Sequence, residues 1–256
     1  MIFLDDVLEV KRAEIDLLRG HPPSGSVSSA LQFGQALRGP GLSVIAEIKR
    51  RSPSKGDLAR SLDVTSAARA YAAGGASAIS CLTDQRFFGA LAGDVAQACG
   101  AGLPVLRKDF LIDEIQIDES VDLGVSAVLL IARILPPGRL EALHSHAVSR
   151  GLDVLVEVHD EAEVDRALAA GASIIGVNNR DLATLEVDPG RALSLRPRIS
   201  AGVVSVAESG VSNRDDVRRI EDAGFDAVLI GEALVTSADP VATLMELRGD
   251  VAEAVR

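Results

Sequence analysis

Tryptophan is absent from the 256-residue chain, tyrosine occurs once (Tyr71), and aromatics make up 3%. So sparse a set leaves none of the aromatic platforms on which single-stranded nucleic acids stack. Acidic groups outnumber basic ones, 37 to 26, for a net charge of −11. That balance further disfavours nucleic acids and anionic membrane surfaces as partners. No apolar run approaches the ~20 residues that span a bilayer. The opening residues (Met1-Ile2-Phe3-Leu4-Asp5-Asp6) carry neither a basic n-region nor a following apolar h-region, so no signal peptide is expected. Only two cysteines occur, Cys81 and Cys99. Their apolar or helical settings fit a reduced cytoplasmic protein better than a redox pair. Lysine is scarce as well: all but four of the 26 basic residues are arginine, the exceptions being Lys11, Lys49, Lys55 and Lys108.

What is present is a globular composition, 47% apolar, in a length that suits one large α/β domain or two small ones. A unit recurs along it. A helical stretch ends at glycine, a few small residues follow, and a short β-branched run begins. Leu123-Gly124-Val125-Ser126-Ala127-Val128-Leu129 and Ala170-Gly171-Ala172-Ser173-Ile174-Ile175 are two instances. Glycine there supplies a left-handed residue after the helix. The runs are continuously apolar rather than alternating, as strands of a helix-covered parallel sheet are. Eight can be counted: Val44–Ile48, Ala78–Leu82, Pro104–Arg107, Ala127–Ile131, Val154–Val158, Ile174–Val177, Val203–Ala207 and Ala227–Ile230. Helix-compatible segments follow them, among them 160–170 and 213–223. Eight β-α units in about 210 residues predict a (β/α)8 TIM barrel. A doubly wound sheet is the alternative, but no G-x-G-x-x-G turn follows the first strand. Residues 1–42 read as an N-terminal helical extension, with a helix over 3–18 and a second one capped by Ser28-Ser29 and running to Leu37. Residues 43–256 read as the barrel, the whole forming one domain.

Barrel enzymes place their chemistry at the C-terminal strand ends, and polar residues gather there: Glu47-Ile48-Lys49, Arg107-Lys108-Asp109, Glu157 with His159, Asn178-Asn179-Arg180, Glu208-Ser209-Gly210 and Gly231-Glu232. Glu47 and Lys49 are two apart and so point to one side of their strand. Charges inside a barrel need partners, and Lys108 and Glu157 are the candidates. Two readings fit: a structural ion-pair network closing the barrel top, or acid/base groups with coupled, shifted pKa values. Three of the four lysines fall in these segments or, for Lys55, in the loop that continues the first, and unlike arginine a desolvated lysine can release its proton. Lys11, the fourth, reads as part of a solvated helix face, and His159 as a surface or outer-layer residue. The Ser209-Gly210 and Gly231-Glu232 turns offer backbone N–H groups to a phosphate, or else simply permit tight turns. No metal-ligand spacing, Walker motif or dinucleotide fingerprint occurs, so neither a metal nor a cofactor is expected.

The segments Ile45-Ala46-Glu47-Ile48-Lys49-Arg50-Arg51-Ser52-Pro53-Ser54-Lys55-Gly56, Leu82-Thr83-Asp84 with Phe87-Phe88-Gly89, Leu106-Arg107-Lys108-Asp109-Phe110, Leu155-Val156-Glu157-Val158-His159, Gly176-Val177-Asn178-Asn179-Arg180-Asp181-Leu182 and Ala207-Glu208-Ser209-Gly210 resemble the indole-3-glycerol-phosphate synthase family, in order and over almost the whole chain. The family's extension before its first strand is matched too.

The resemblance implies a reaction. The phosphosugar 1-(2-carboxyphenylamino)-1-deoxyribulose 5-phosphate closes its ring, losing CO2 and water, as a step of tryptophan biosynthesis. It implies Glu47, Lys49, Lys108, Glu157 and Asn178 as catalytic residues. Lys108 would be the general acid, Glu47 its partner and Glu157 the base. Ser52, Phe88, Phe110, Arg180, Glu208, Ser209 and Leu229 would bind substrate, the two phenylalanines flanking its ring. Lys49, Ser209, Gly210, Gly231 and Glu232 would hold the phosphate. Glu232 stands where some family members carry Ser, and its carboxylate would repel a phosphate unless only its N–H is used. A cytoplasmic monomer acting on a small anionic substrate, without nucleic acid or membrane, is the expectation. A neighbouring isomerase barrel would instead need Cys81 to face inward beside an Asp. A catalytically dead scaffold would have no use for the intact charged set.

Overall fold

The computed structural model describes residues 2–24, 32–136 and 138–250. Eight strands close a parallel barrel: β1 (Ser43–Ile48), β2 (Ala78–Leu82), β3 (Val105–Lys108), β4 (Ala127–Ile131), β5 (Asp153–Val158), β6 (Ile174–Asn178), β7 (Val204–Glu208) and β8 (Ala227–Ile230), with β8 returning to β1. Every one overlaps a run expected from sequence. The differences are at the ends, where β3, β6 and β7 extend to take in Lys108, Asn178 and Glu208. Those polar residues are part of the sheet because their backbones still pair with neighbours, Lys108 with Leu82 and Asn178 with Glu208.

Alternation along each strand divides the core into two layers. Ile45, Leu106, Leu129, Leu155, Ile174, Val206 and Leu229 fill the barrel interior. Ala46, Ile79, Val105, Leu130, Val156, Ile175 and Val228 pack outward against the helices. Cys81 belongs to the outward layer. Burial pushes its thiol up to about 12, and nearby Asp94 adds to this. It therefore cannot serve as the inward acid of an isomerase site. Both ends of the helices are fixed by sequence. Asp160 and Asn213 accept from the N–H groups of Glu163 and Asp216, and Gly124 and Gly171 take φ of 79° and 82° after helices 114–122 and 161–169.

The N-terminal extension does two jobs. A short helix, Phe33–Ala36, lies at the N-terminal mouth, with Phe33 and Leu37 in the interior cluster and Gly34 N–H donating to Asp153 at the start of β5 (2.8 Å). The expected Ser28-Ser29 cap lies outside the described residues. The first helix, α1 (Ile2–Gly20), reaches the opposite end. There Lys11 is 1% exposed and lies 2.7 Å from Asp84 and 2.8 Å from Asp109, which follow β2 and β3. The solvated-face reading of Lys11 is therefore wrong. An amphipathic helix normally puts lysine outward, but here two buried carboxylates from other elements require a cation.

Candidate active site

At the C-terminal end of the barrel the interior positions turn from apolar to charged. Glu47, Lys108, Glu157, Asn178 and Glu208 all sit one alternation above the apolar layer and all are buried or nearly so. Lys108 Nζ donates to Glu208 at 3.0 Å and to Glu157 at 3.2 Å. Glu47 does not pair with Lys108, as the resemblance implied. It accepts from Lys49 at 2.6 Å, because Lys49 leaves the strand on the same side and is the nearer cation. The ion pairs thus fall into two groups, Glu47–Lys49 and Glu157–Lys108–Glu208.

Burial alone would pull the Lys108 pKa down. Glu208, Glu157 and Glu47 around it more than reverse this, so Lys108 holds its proton more tightly than an ordinary lysine. Burial would raise Glu157, but Lys108 and then His159 hold it well below the usual carboxylate range. Glu208 goes the other way. Burial lifts it to about 7, Lys108 only partly offsetting this and Glu157 adding to it. Two carboxylates sharing one ammonium are thereby driven apart, one firmly ionised and one near its titration point at neutral pH.

Glycine makes room for this arrangement. A Cβ on Gly176, which faces the interior of β6, would collide with the Glu208 carboxylate. On Gly231, after β8, it would meet Glu47 Oε1 at 2.5 Å and Lys49 Nζ at 3.0 Å. Gly231 was a candidate from sequence. Gly176 was not, although a glycine inside an otherwise apolar strand marks a close approach.

The resulting cavity has two unlike ends. One is walled by Leu82, Phe88, Phe110, Leu129, Ile131 and Leu182. The Phe88 and Phe110 rings lie 6.3 Å apart and tilted by 33°. The other is lined by Ser209, Gly210, Val211, Ser212, Gly231, Glu232 and Ala233. Glu47, Lys49, Lys108 and Arg180 border both. Ser209 and Gly210 both take positive φ, 64° and 83°, in the turn after β7 that borders this end. A side chain at Gly210 would also strike Val187. All the residues named from sequence reach this cavity: Ser52, Phe88, Phe110, Glu157 and Asn178 at the apolar end, Glu208, Gly210, Leu229 and Gly231 at the polar end, and Glu47, Lys49, Lys108, Arg180, Ser209 and Glu232 at both.

The loop after β1 covers the mouth. Arg51–Ser52 pairs antiparallel with Gly56–Asp57. Its base is anchored by buried Arg50, which meets both oxygens of Asp94. Its tip reaches across, Lys55 pairing with Glu232 and Ser54 accepting from Arg180 at 3.3 Å. Sequence reasoning did not single out Arg50, Ser54 or Leu185. Leu185 O accepts from Arg180 at 2.8 Å, from a non-glycine backbone at φ 63°. Of the two expectations for His159, surface or outer layer, the structure gives the second: its ring is enclosed between Glu157 and Glu163. Among the described residues no group of three metal-ligating side chains could hold an ion, and no helix is long and apolar enough to cross a membrane.

The family model for indole-3-glycerol phosphate synthase matches residues 4–247. The chain is 47% identical over 249 residues to the indole-3-glycerol phosphate synthase of Chlorobium phaeovibrioides, covering 93% of this chain and 96% of that protein. It is 51% identical over 221 residues to indole-3-glycerol phosphate synthase 2 of Streptomyces coelicolor, 86% of each. Among solved structures, the barrel is similar to 3-hexulose-6-phosphate synthase (TM-score 0.62, 19% identity, 82% of this chain and all of that one). It is similar also to thiamine phosphate pyrophosphorylase from Pyrococcus furiosus (TM-score 0.61, 17% identity, 86% of this chain and all of that one). At such identities these two show the fold alone.

Proposed function

This chain belongs to the indole-3-glycerol phosphate synthase family, and we propose that it closes the ring of 1-(2-carboxyphenylamino)-1-deoxyribulose 5-phosphate, releasing CO2 and water to leave indole-3-glycerol phosphate. The observation that carries this reading is the two-ended cavity. An apolar, phenylalanine-flanked end suits the anthranilate ring. A glycine-rich end with left-handed Ser209-Gly210 suits the phosphate. The buried Lys108–Glu157–Glu208 group lies between them, where the ribulose carbonyl of a substrate spanning both would sit.

In this assignment Lys108 donates its Nζ proton to the carbonyl oxygen as the ring carbon bearing the carboxylate attacks the carbonyl carbon. The C–C bond forms, the carbonyl becomes a hydroxyl, and loss of CO2 leaves its electron pair in the ring. Glu157, ionised in its enclosed position, then takes the proton from the carbon beside the ring nitrogen, and the hydroxyl leaves as water with a proton from Lys108, which solvent has reprotonated after the first step. Lys49, held by Glu47, and Arg180 meet the substrate anions, with Asn178 orienting the polar groups beside Glu157. The Glu232 carboxylate is already matched by Lys55, so a phosphate arriving there meets its N–H and not a bare negative charge. Action as a monomer is part of this proposal. The substrate is a small cytoplasmic metabolite.

The isomerase reading is disfavoured by the outward-facing Cys81. The test is direct. Purified protein given the anilino-ribulose phosphate should develop indole absorbance and fluorescence. A folded preparation that produces none refutes the assignment.

A further inference from the structure

His159 directly follows β5, two residues beyond Glu157. Its ring is enclosed, and each nitrogen faces a carboxylate. Nε2 lies 3.4 Å from Glu157 Oε1, and Nδ1 lies 3.1 Å from Glu163 Oε2. An ionised carboxylate only accepts, and a neutral imidazole has one N–H. A singly protonated ring would press a nitrogen lone pair against a carboxylate oxygen. Protons on both nitrogens make both contacts attractive, the one to Glu163 as a hydrogen bond and the one to Glu157 as a contact between opposite charges outside hydrogen-bond alignment. Burial by itself would favour the neutral ring; Glu157 and Glu163 overcome that and raise its pKa to about 9.

The outer carboxylate is fixed in turn. Glu163 accepts from the backbone N–H of His159 (2.7 Å) and from Arg133 Nε (2.8 Å). Arg133 also reaches Asp181 in the loop after β6 (3.0 Å) and Asp160 (3.4 Å). On the inner side, Glu157 meets Lys108, which also meets Glu208. Glu157 thus lies between two cations that differ in kind. Lys108 faces the cavity and can give up its proton there. His159 has no opening to the cavity and nowhere to send one.

We propose that His159 is a positioning residue that keeps Glu157 ionised through turnover, remaining a cation at the moment when Lys108 has transferred its proton to substrate. The proton passes from Lys108 Nζ to the carbonyl oxygen; His159 keeps both of its own throughout. This rests on the ring-closing reaction proposed above. Without it, a buried Glu157 beside a newly neutral lysine would tend to take up a proton before it is needed as a base.

Two measurements on the full chain test this. Nitrogen-15 NMR of the four histidines needs no substrate. His159 should be doubly protonated at pH 7.5 and lose a proton near the pKa of about 9. A neutral tautomer at pH 7.5 would overturn the proposal whether or not the protein makes indole. His159→Asn, which retains a hydrogen-bond donor but no charge, should lower kcat about tenfold at pH 7, leave KM within about threefold, and recover part of the loss as pH rises. A kcat loss of equal size at every pH, or no loss, contradicts it. If that variant fails to fold, Glu163→Gln serves, since Glu157 is untouched. His159 should then deprotonate at lower pH and kcat should fall on the alkaline side, whereas an unchanged deprotonation point refutes the role. Absence of indole from the wild-type protein would instead refute the reaction itself.

Discussion

Lys11→Met removes the cation that α1 inserts between Asp84 and Asp109. Lys11 is 1% exposed and both carboxylates are buried. Asp109 keeps Arg107 at 3.3 Å and Thr83 as partners, while Asp84 Oδ1 still accepts from Phe87 N–H at 2.6 Å. Asp84 Oδ2 faces only Lys11. Removing one partner of a buried ion pair costs roughly 3–5 kcal/mol because the survivor is left charged and dry. The depressed Asp109 pKa, to which Arg107 and Thr83 also contribute, is of similar size. Burial would raise the Asp109 pKa, but Lys11 and Arg107 hold it at about 2 against an ordinary 3.8, a shift equivalent to about 2 kcal/mol. In a chain of this size each kcal/mol moves Tm by ~2–4 °C, so the expected fall is about 6–20 °C. The sign with pH is fixed. A depressed carboxylate stabilises fully above its ordinary pKa, and that contribution disappears as pH falls through about 2. Thermal unfolding followed by circular dichroism should show a gap between wild type and Lys11→Met that is widest near neutrality and narrows from pH 4 downward. Adding Asp84→Asn to the variant should recover part of the loss. A Tm fall below about 3 °C at pH 7, or a gap independent of pH, would refute the reasoning.

Gly176→Ala places a methyl against the Glu208 carboxylate and should cost about 1–3 kcal/mol of stability, with at least a tenfold lower kcat, read by unfolding and indole assays together. Activity within twofold of wild type would show that Glu208 is free to move. Glu208, lifted to about 7 by burial, should make kcat/KM rise as pH climbs through that value, since its ionised form is the one that aims Lys108. Glu208→Gln should lie at the acid-side level with no inflection there. An inflection that survives in the variant assigns it to another group.

The barrel was legible because strands buried on both faces are continuously apolar, and the glycines between helix and strand punctuate them. The site was legible for the same reason: Glu47, Lys108, Glu157, Asn178 and Glu208 interrupt apolar runs where a barrel should hold Val, Ile and Leu. What could not be read depends on distant partners. Lys11 looks like any helix-surface lysine until Asp84 and Asp109 are brought to it by the closing of β2 and β3. His159 becomes internal only because Glu163, one helical turn on, folds back over it. The pairing of Glu47 with Lys49 and not Lys108 is a choice among cations at similar heights in the barrel, which strand alternation alone does not decide. Gly176 carried a signal of its own, a side-chain gap in Ile174-Ile175-Gly176-Val177, and marks where Glu208 fits.

The central claim is that Lys108, between the apolar and phosphate ends of one cavity, supplies the proton for ring closure. Lys108→Met tests it most directly, with turnover followed by indole fluorescence and binding of a non-reactive substrate analogue followed by calorimetry. The account predicts a loss of turnover of at least about 1,000-fold with analogue binding still measurable, because the phosphate turns at Ser209-Gly210 and Gly231 are untouched. Turnover within about tenfold of wild type, in a variant that binds the analogue, would contradict it.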